Sequence, residues 1–251
     1  MKSLIKAKEV LSLIASEPGI GLPQIARKLG MPKSTAYRIL RALSLAGFVL
    51  ELDDKHRYGL GPLINDLTSG HSRRAKLIRV ARPLMIRLRD QCNETVALHL
   101  LQGGSWVVID QVESSQQIRR TITNLGTPLA LHAGAPGKLF LALMSERDRE
   151  AYLATEPLKR FTPNTLTDRG KLHRELAMIV RRGYSKSVEE VVQGVSSLAM
   201  PIRSSDGSVV AAIGVSGPIA RFTPKKASSI LSALTRTVEE ARRALLAEDR
   251  G

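Results

Sequence analysis

The sequence predicts an α+β protein of two domains. The first is a small, mostly helical N-terminal domain with a β wing; the second packs helices against a curved antiparallel sheet. Three observations predict it. The chain has 251 residues, more than the roughly 100–200 of one domain. Apart from one hairpin-like stretch at 48–60, hydrophobic spacing is helical up to Cys92, and strand-like runs begin at Thr95. Basic charge is concentrated at one end: residues 1–90 hold 17 Lys+Arg against 7 Asp+Glu, while the rest hold 21 against 16.

The whole chain carries a formal charge of +15, and two thirds of that excess lies in about a third of its length. Such asymmetry suits a nucleic-acid-binding module joined to a nearly balanced domain, because neutralising phosphate needs clustered Lys and Arg. Hydrophobic residues make up 43% and charged residues 24%, which excludes wholesale disorder. No apolar run approaches the roughly 18 residues of a membrane span. The first thirty residues contain no cleavable apolar stretch, so a cytoplasmic protein is expected. Cys92 is the only cysteine, which excludes an internal disulfide, a cysteine-based zinc cluster and a CxxC redox pair.

Ala7, Val10, Leu11 and Ile14 recur at helical spacing from Ser3 to Ser16, and Glu17-Pro18-Gly19 stops the pattern. Leu22–Leu29 gives a second helix, with Pro23 in its first turn and Gly30 after it. A third runs from Lys33 to Leu45, with Ala36, Ile39, Leu40 and Leu43 inward. Small Ala26 at the helix crossing and Gly30 at the turn make this a helix-turn-helix pattern. Phe48–Leu52, the polar tip Asp53-Asp54-Lys55-His56 and Arg57–Leu60 read as a hairpin, the wing.

The third helix shows Lys33, Ser34, Tyr37, Arg38 and Arg41 on its outer face. In a major groove, Arg38 and Arg41 offer bidentate donors to guanine or phosphate, and Ser34, Thr35 and Tyr37 reach base edges or backbone. Lys55, His56 and Arg57 are expected on flanking phosphates. A bundle that binds only other proteins is the alternative, and the basic recognition face favours double-stranded operator DNA.

Ser72–Cys92 is an amphipathic connector with Leu77, Ile78, Ala81, Leu84, Met85 and Leu88 along one stripe. Pro83 is expected to kink it or divide it near Arg82. Its arginines suit a solvated face as well as phosphate, and its apolar stripe suits a dimer surface. The expected domains are 1–65, a linker helix over 66–92, and 93–251.

Thr95–Gln102 and Ser105–Glu113 are strand-like around Gly103-Gly104, and Ile118–Thr123 is read as a third strand. A loop through His132-Ala133-Gly134 enters an apolar helix near Ala135-Pro136. Ser145 and Asp148 form a capping box, and a further helix runs from Thr167-Asp168 to Gly183. Leu198–Arg203 and Val209–Ser216 are strands around Asp206-Gly207, and Thr223-Pro224 begins a last helix reaching about Ala247.

The winged helix, the linker, LALHAGAPGKLFLA, RGYSKSVEEVVQGVSSLAMPIRSSDG and VVAAIGVSGPIARFT together resemble the IclR family of bacterial transcriptional regulators, over nearly the whole chain. The resemblance implies a C-terminal GAF-like domain that binds a small organic or aromatic acid, and a homodimer or homotetramer. It implies an effector pocket at Ile118, Thr121, Leu129, Gly134, Ala135, Pro136, Ser187, Val195, Ser197, Gly214 and Ser216. Many relatives carry a cysteine near Ser197 and smaller residues near Pro136. Backbone donors at the Gly134-Ala135 helix start suit a carboxylate, the serines supply hydroxyls and Ile118, Leu129 and Val195 an apolar wall. His132 either donates to an anionic effector or caps its loop. Arg119 and Arg120 alternate, so one faces the pocket, and Arg119 is taken as the ligand-facing one.

Enzyme signals fail. Gly134–Lys138 would need glycine at His132 and Ser or Thr at Leu139 to be a phosphate loop. No G-x-S-x-G elbow occurs, and His56, His71, His99, His132 and His173 form no metal-ligand pair. Glu189 and Glu190, taken as neighbours on a strand, point to opposite sides. No catalytic residue, metal or cofactor is expected; a hydrolase using Ser197 with His132 is the alternative. The expectation is a sequence-specific regulator, a repressor, controlled by a small acid on a pseudo-palindromic operator.

Overall fold

A computed structural model describes residues 2–53, 56–122 and 124–248, without the side chains of residues 2–3 and 65–72. It divides into two compact units, Met1–Arg74 and Ala75–Gly251.

The first unit contains α1 (Lys2–Ser16), β1 (Ile20–Gly21), α2 (Leu22–Lys28), α3 (Lys33–Leu45), β2 (Val49–Asp53) and β3 (Arg57–Leu60). Val10, Ile14, Ile25, Ala26, Ala36 and Leu40 fill its core. The turn between α2 and α3 closes with Met31 N donating to Ala26 O at 3.0 Å and Gly30 at φ +61°. The sheet order is β1-β3-β2. The two-residue β1, pairing Ile20 with Tyr58, is too short to have shown in a period-2 pattern.

A single helix, α4 (Pro62–Cys92), runs through Pro83, so the connector is not divided there. The missing backbone donor is offset by packing on both sides of it. Leu77, Val80 and Ala81 before Pro83, and Leu84, Met85 and Leu88 after it, enter one core. That stripe therefore lies inside the second unit and is not a free dimer surface.

The second unit adds β4 (Thr95–Gln102), β5 (Ser105–Val112), α5 (Ala135–Leu143), α6 (Glu146–Thr155), α7 (Arg169–Arg182), β6 (Ser185–Val188), β7 (Val195–Arg203), β8 (Val209–Pro218) and α8 (Pro224–Glu248). Its antiparallel sheet has the order β5-β4-β8-β7-β6. Strand alternation sorts the side chains. Val96, Leu98, Leu198, Ile213 and Val215 meet α4 and α8 on one face. Small Ala97, Ala199 and Ala212 lie on the other, with α5 and α7. On the same face Ser187, Ser197, Gly214 and Ser216 border a trough. No described helix is long and apolar enough to cross a membrane.

Ser145 accepts from Asp148 N at 3.1 Å and Asp168 from Lys171 N at 2.7 Å, starting α6 and α7. Asp168→Ala is expected to cost about 1 kcal/mol in urea denaturation.

Residues 118–122 form no strand, and Thr123 lies outside the described residues. Side chains, rather than a ladder, hold this segment. Gln111 donates to Ile122 O at 2.9 Å and accepts from Ile122 N at 3.1 Å, while Thr95 Oγ1 donates to Arg120 O at 2.6 Å.

Candidate functional site

In the first unit, α3 presents Lys33, Ser34, Arg38 and Arg41 to solvent, with Tyr37 50% exposed and Thr35 half-buried at the first turn. The inward face of the helix is fixed by Ala36, Leu40 and Leu43, so these side chains have one direction left to take. Among the described residues no carboxylate pairs with Lys33, Arg38 or Arg41. A cation that no protein carboxylate neutralises keeps its charge for phosphate or guanine. The wing differs. His56 Nδ1 pairs with Glu51, and Arg57 Nε donates to Asp53 Oδ2 at 2.6 Å. Asp53 also holds the Arg57 guanidinium above its usual range, its hydrogen bond contributing most. Two of the expected phosphate contacts are thus engaged within the wing, and Lys55 lies outside the described residues.

In the second unit the trough closes into a cavity of about 120 Å³. That is room for several waters or one small organic molecule, since a water needs roughly 10–15 Å³ by this measure. Of the residues expected at an effector pocket, Leu129, Gly134, Pro136, Ser187, Val195, Ser197, Gly214 and Ser216 line it. Register explains the serines: Ser187 pairs with Ser197, Ser197 with Ser216, and Ser216 with Thr95. Directly paired residues share a face, so a row of hydroxyls crosses four strands. The hydroxyls of Ser197 and Ser216 have no partner among the described residues.

Five expected residues do not line the cavity. Ile118 is 75% exposed, and Arg119 turns outward to donate to Glu113 Oε2 at 2.7 Å. Thr121 lies in the segment without taking part in the wall, and its carbonyl accepts from Arg120 at 2.6 Å. Ala135 is buried in the core around α5. His132 is buried with Nε2 2.9 Å from Lys159 O, Nδ1 3.4 Å from the Tyr152 hydroxyl, and its ring stacked on Phe161. It fastens loops together and is not paired with Ser197, so the hydrolase couple is not assembled. Among the described residues no group of His, Cys, Asp and Glu is placed to hold a metal.

Arg120, not Arg119, lines the cavity. The segment is not a strand, so the expected alternation does not set which arginine turns inward; Thr95 and Gln111 do. Arg120 is half-buried, donates to a backbone carbonyl, and pairs with no carboxylate among the described residues. Desolvation pushes its pKa down, as burial without a counter-charge must.

The expected carboxylate cradle at the start of α5 is already filled. Gly134 N donates to Glu190 Oε2 at 3.1 Å. Lys138, 2% exposed, donates from Nζ to Glu190 Oε1 at 2.5 Å, Lys186 O at 2.8 Å and Glu175 Oε1 at 3.2 Å. Burial pushes the Glu190 carboxyl up, against the pull of Lys138. Glu189 and Glu190 do turn to different surroundings, although a positive φ of 58° at Glu189 produces this rather than a strand. The buried pair anchors the loop whose Val191 and Val192, with Val195 at the start of β7, form part of the cavity wall. One signal could have found it: a lone lysine in the apolar run APGKLFLALM. Sequence reasoning also passed over His99, Trp106, Val108 and Ile122, which line the cavity too.

A winged helix-turn-helix unit with an unpaired cationic recognition face, joined to an α+β unit enclosing a small cavity, defines the class of DNA-binding regulators with a separate cavity-bearing domain. The match to the models of "IclR helix-turn-helix domain" over residues 3–52 and "Bacterial transcriptional regulator IclR C-terminal" over residues 71–243 shows that this chain belongs to the IclR family of transcriptional regulators. It is not an enzyme. The chain is 36% identical to the HTH-type transcriptional regulator BhcR of Paracoccus denitrificans, over 98% of this chain and 86% of that protein. It is 29% identical to the transcriptional repressor IclR of Escherichia coli, over 96% and 88%. Its fold resembles an IclR homolog from Microbacterium hydrocarbonoxydans complexed with 4-hydroxybenzoate, with a TM-score of 0.63, 26% identity and coverage of 96% and 99%.

Proposed function

We propose that this regulator represses transcription at a pseudo-palindromic operator, as a homodimer or homotetramer, and that a small organic acid in the cavity controls its operator affinity. The observation that carries the acid is Arg120, a half-buried guanidinium in the cavity wall with no carboxylate partner among the described residues. A ligand carboxylate supplies the missing counter-charge, the hydroxyl row receives its remaining oxygens, and the valines and Leu129 surround its carbon frame. The complex of a structural relative with 4-hydroxybenzoate supports a ligand of this kind.

Control follows from linkage: an acid shifts operator affinity by its differential affinity for the two DNA-binding states. In this reading the 66–92 part of α4 is the connector between a DNA-binding domain at 1–65 and an effector domain at 93–251. The coupling begins at the cavity wall, where Arg120 and the loop held by Lys138 meet the ligand.

Arg120→Met tests the reading. The variant is expected to bind acids roughly 10- to 100-fold more weakly, the scale of a charge-assisted hydrogen bond, and to keep operator affinity measured without acid. Acid binding unchanged by the substitution would remove Arg120 from the site.

A further inference from the structure

The cavity holds a polar group that an acid anchored at Arg120 leaves unanswered. His99 lies in the wall, 4% exposed, and its Nδ1 has no hydrogen-bond partner. None reaches Nε2 among the described residues either. The ring is set by its surroundings. It meets Trp106 edge-on, with centroids 5.3 Å apart at 72°. It lies so close over Gly214 that a Cβ there would be 2.8 Å from Nε2. Nδ1 is sealed from the cavity, so Nε2, over the lining residue Gly214, is the nitrogen left for a polar group that arrives with an occupant; buried polar groups are almost always paired.

Strand geometry says where that partner must be. Thr95, Ala97 and His99 share one face of β4, and β4 pairs without interruption with β8, Thr95 against Ser216 and His99 against Ala212. Thr95 holds the main chain of Arg120, so the arginine segment is fastened at the hydroxyl-row end of the trough. Four residues of strand, about 13 Å between Cα atoms, separate that end from His99. Gly214, whose strand partner is Ala97, lines the cavity between them with no polar side chain. The trough is therefore polar at both ends and apolar in the middle.

We propose that His99 selects the effector: it takes a neutral hydroxyl at the far end of an elongated organic acid whose carboxylate is held at Arg120. A neutral imidazole offers one N–H and one bare nitrogen, so a hydroxyl, both donor and acceptor, satisfies either. Burial holds the His99 pKa down to about 3, so the ring stays neutral near pH 7 and does not compete with Arg120 for the carboxylate. This inference rests on the acid-binding reading above.

Isothermal titration of the full chain with matched acids, 4-hydroxybenzoate against benzoate and 4-hydroxyphenylacetate against phenylacetate, tests it. The hydroxylated member of at least one pair is expected to bind about 10- to 100-fold tighter, the scale of an unmet buried hydrogen bond. His99→Phe should abolish that preference, and His99→Gln, which keeps a donor and an acceptor, should restore part of it. Equal binding of both members in every pair, with Arg120 still required, would overturn the role of His99 and leave the acid reading standing. A hydroxyl preference that survives in His99→Phe would overturn it as well. Absence of any Arg120-dependent acid binding would overturn both. If His99→Phe does not fold, the pairwise preference of the parent and of His99→Gln decides.

Discussion

Lys138→Met is expected to destabilise the second unit by about 3–5 kcal/mol, the cost of removing one partner from a buried ion pair. Lys138 is almost fully buried and serves Glu190, Glu175 and the Lys186 carbonyl at once. Without it, Glu175 keeps Arg182 at 2.8 Å, but Glu190 keeps only the Gly134 N–H. The Glu190 carboxyl, already pushed up by burial, then rises further above its unfolded value. A raised carboxyl pKa contributes stability that is present below the unfolded pKa and lost as pH rises through the folded one. The deficit of the variant relative to the parent should therefore be smaller in mild acid and grow toward neutral pH. Urea denaturation at two pH values checks this. Lys138→Met/Glu190→Gln should recover part of the loss, because it leaves no unpaired charge. A deficit under about 1 kcal/mol would mean that solvent reaches the pair. Because the pair anchors the loop bearing Val191 and Val192, the single variant should also bind acids more weakly.

The second large effect is expected on the recognition helix. Arg38→Ala should cost about 1–3 kcal/mol at the specific operator if the guanidinium reads a base, and relax specificity at that position. If it contacts phosphate, all sequences weaken alike and the salt slope falls by about one. Arg41→Ala is judged in the same way, and fluorescence anisotropy at several salt concentrations separates the two roles. Both side chains are exposed and unpaired by carboxylates among the described residues, so their removal should leave the fold intact. Unchanged operator affinity in both variants would move the DNA contact away from α3.

The winged helix was legible because its signals are local. Ala36, Leu40 and Leu43 mark one helix face, and Gly30 and the Asp53–His56 tip mark the turns. In the second unit the helix caps at Ser145, Asp168 and Gly183 were legible for the same reason. What depended on distant partners was not. The segment around Arg120 has the alternation of a strand, yet Gln111 and Thr95 side chains bind its backbone instead, and the inward arginine changes with that. His132 has the chemistry of a ligand, but the Lys159 carbonyl that occupies it lies 27 residues on. Glu190, 52 residues from Lys138, fills the helix terminus that looked open to an effector. The serines of the cavity were reached through the family resemblance; the register that lines them up across four strands needed the sheet.

The most direct test of an acid-controlled operator binder is selection of bound genomic fragments at physiological salt. The recovered sequence is then titrated with the parent chain and with Arg120→Met, each with and without the matched acids. Enrichment of a short pseudo-palindrome is expected, bound equally by both proteins without acid and with an affinity that acid changes only in the parent. Binding that depends on salt but not on sequence, or operator affinity that no acid alters in the parent, would contradict it.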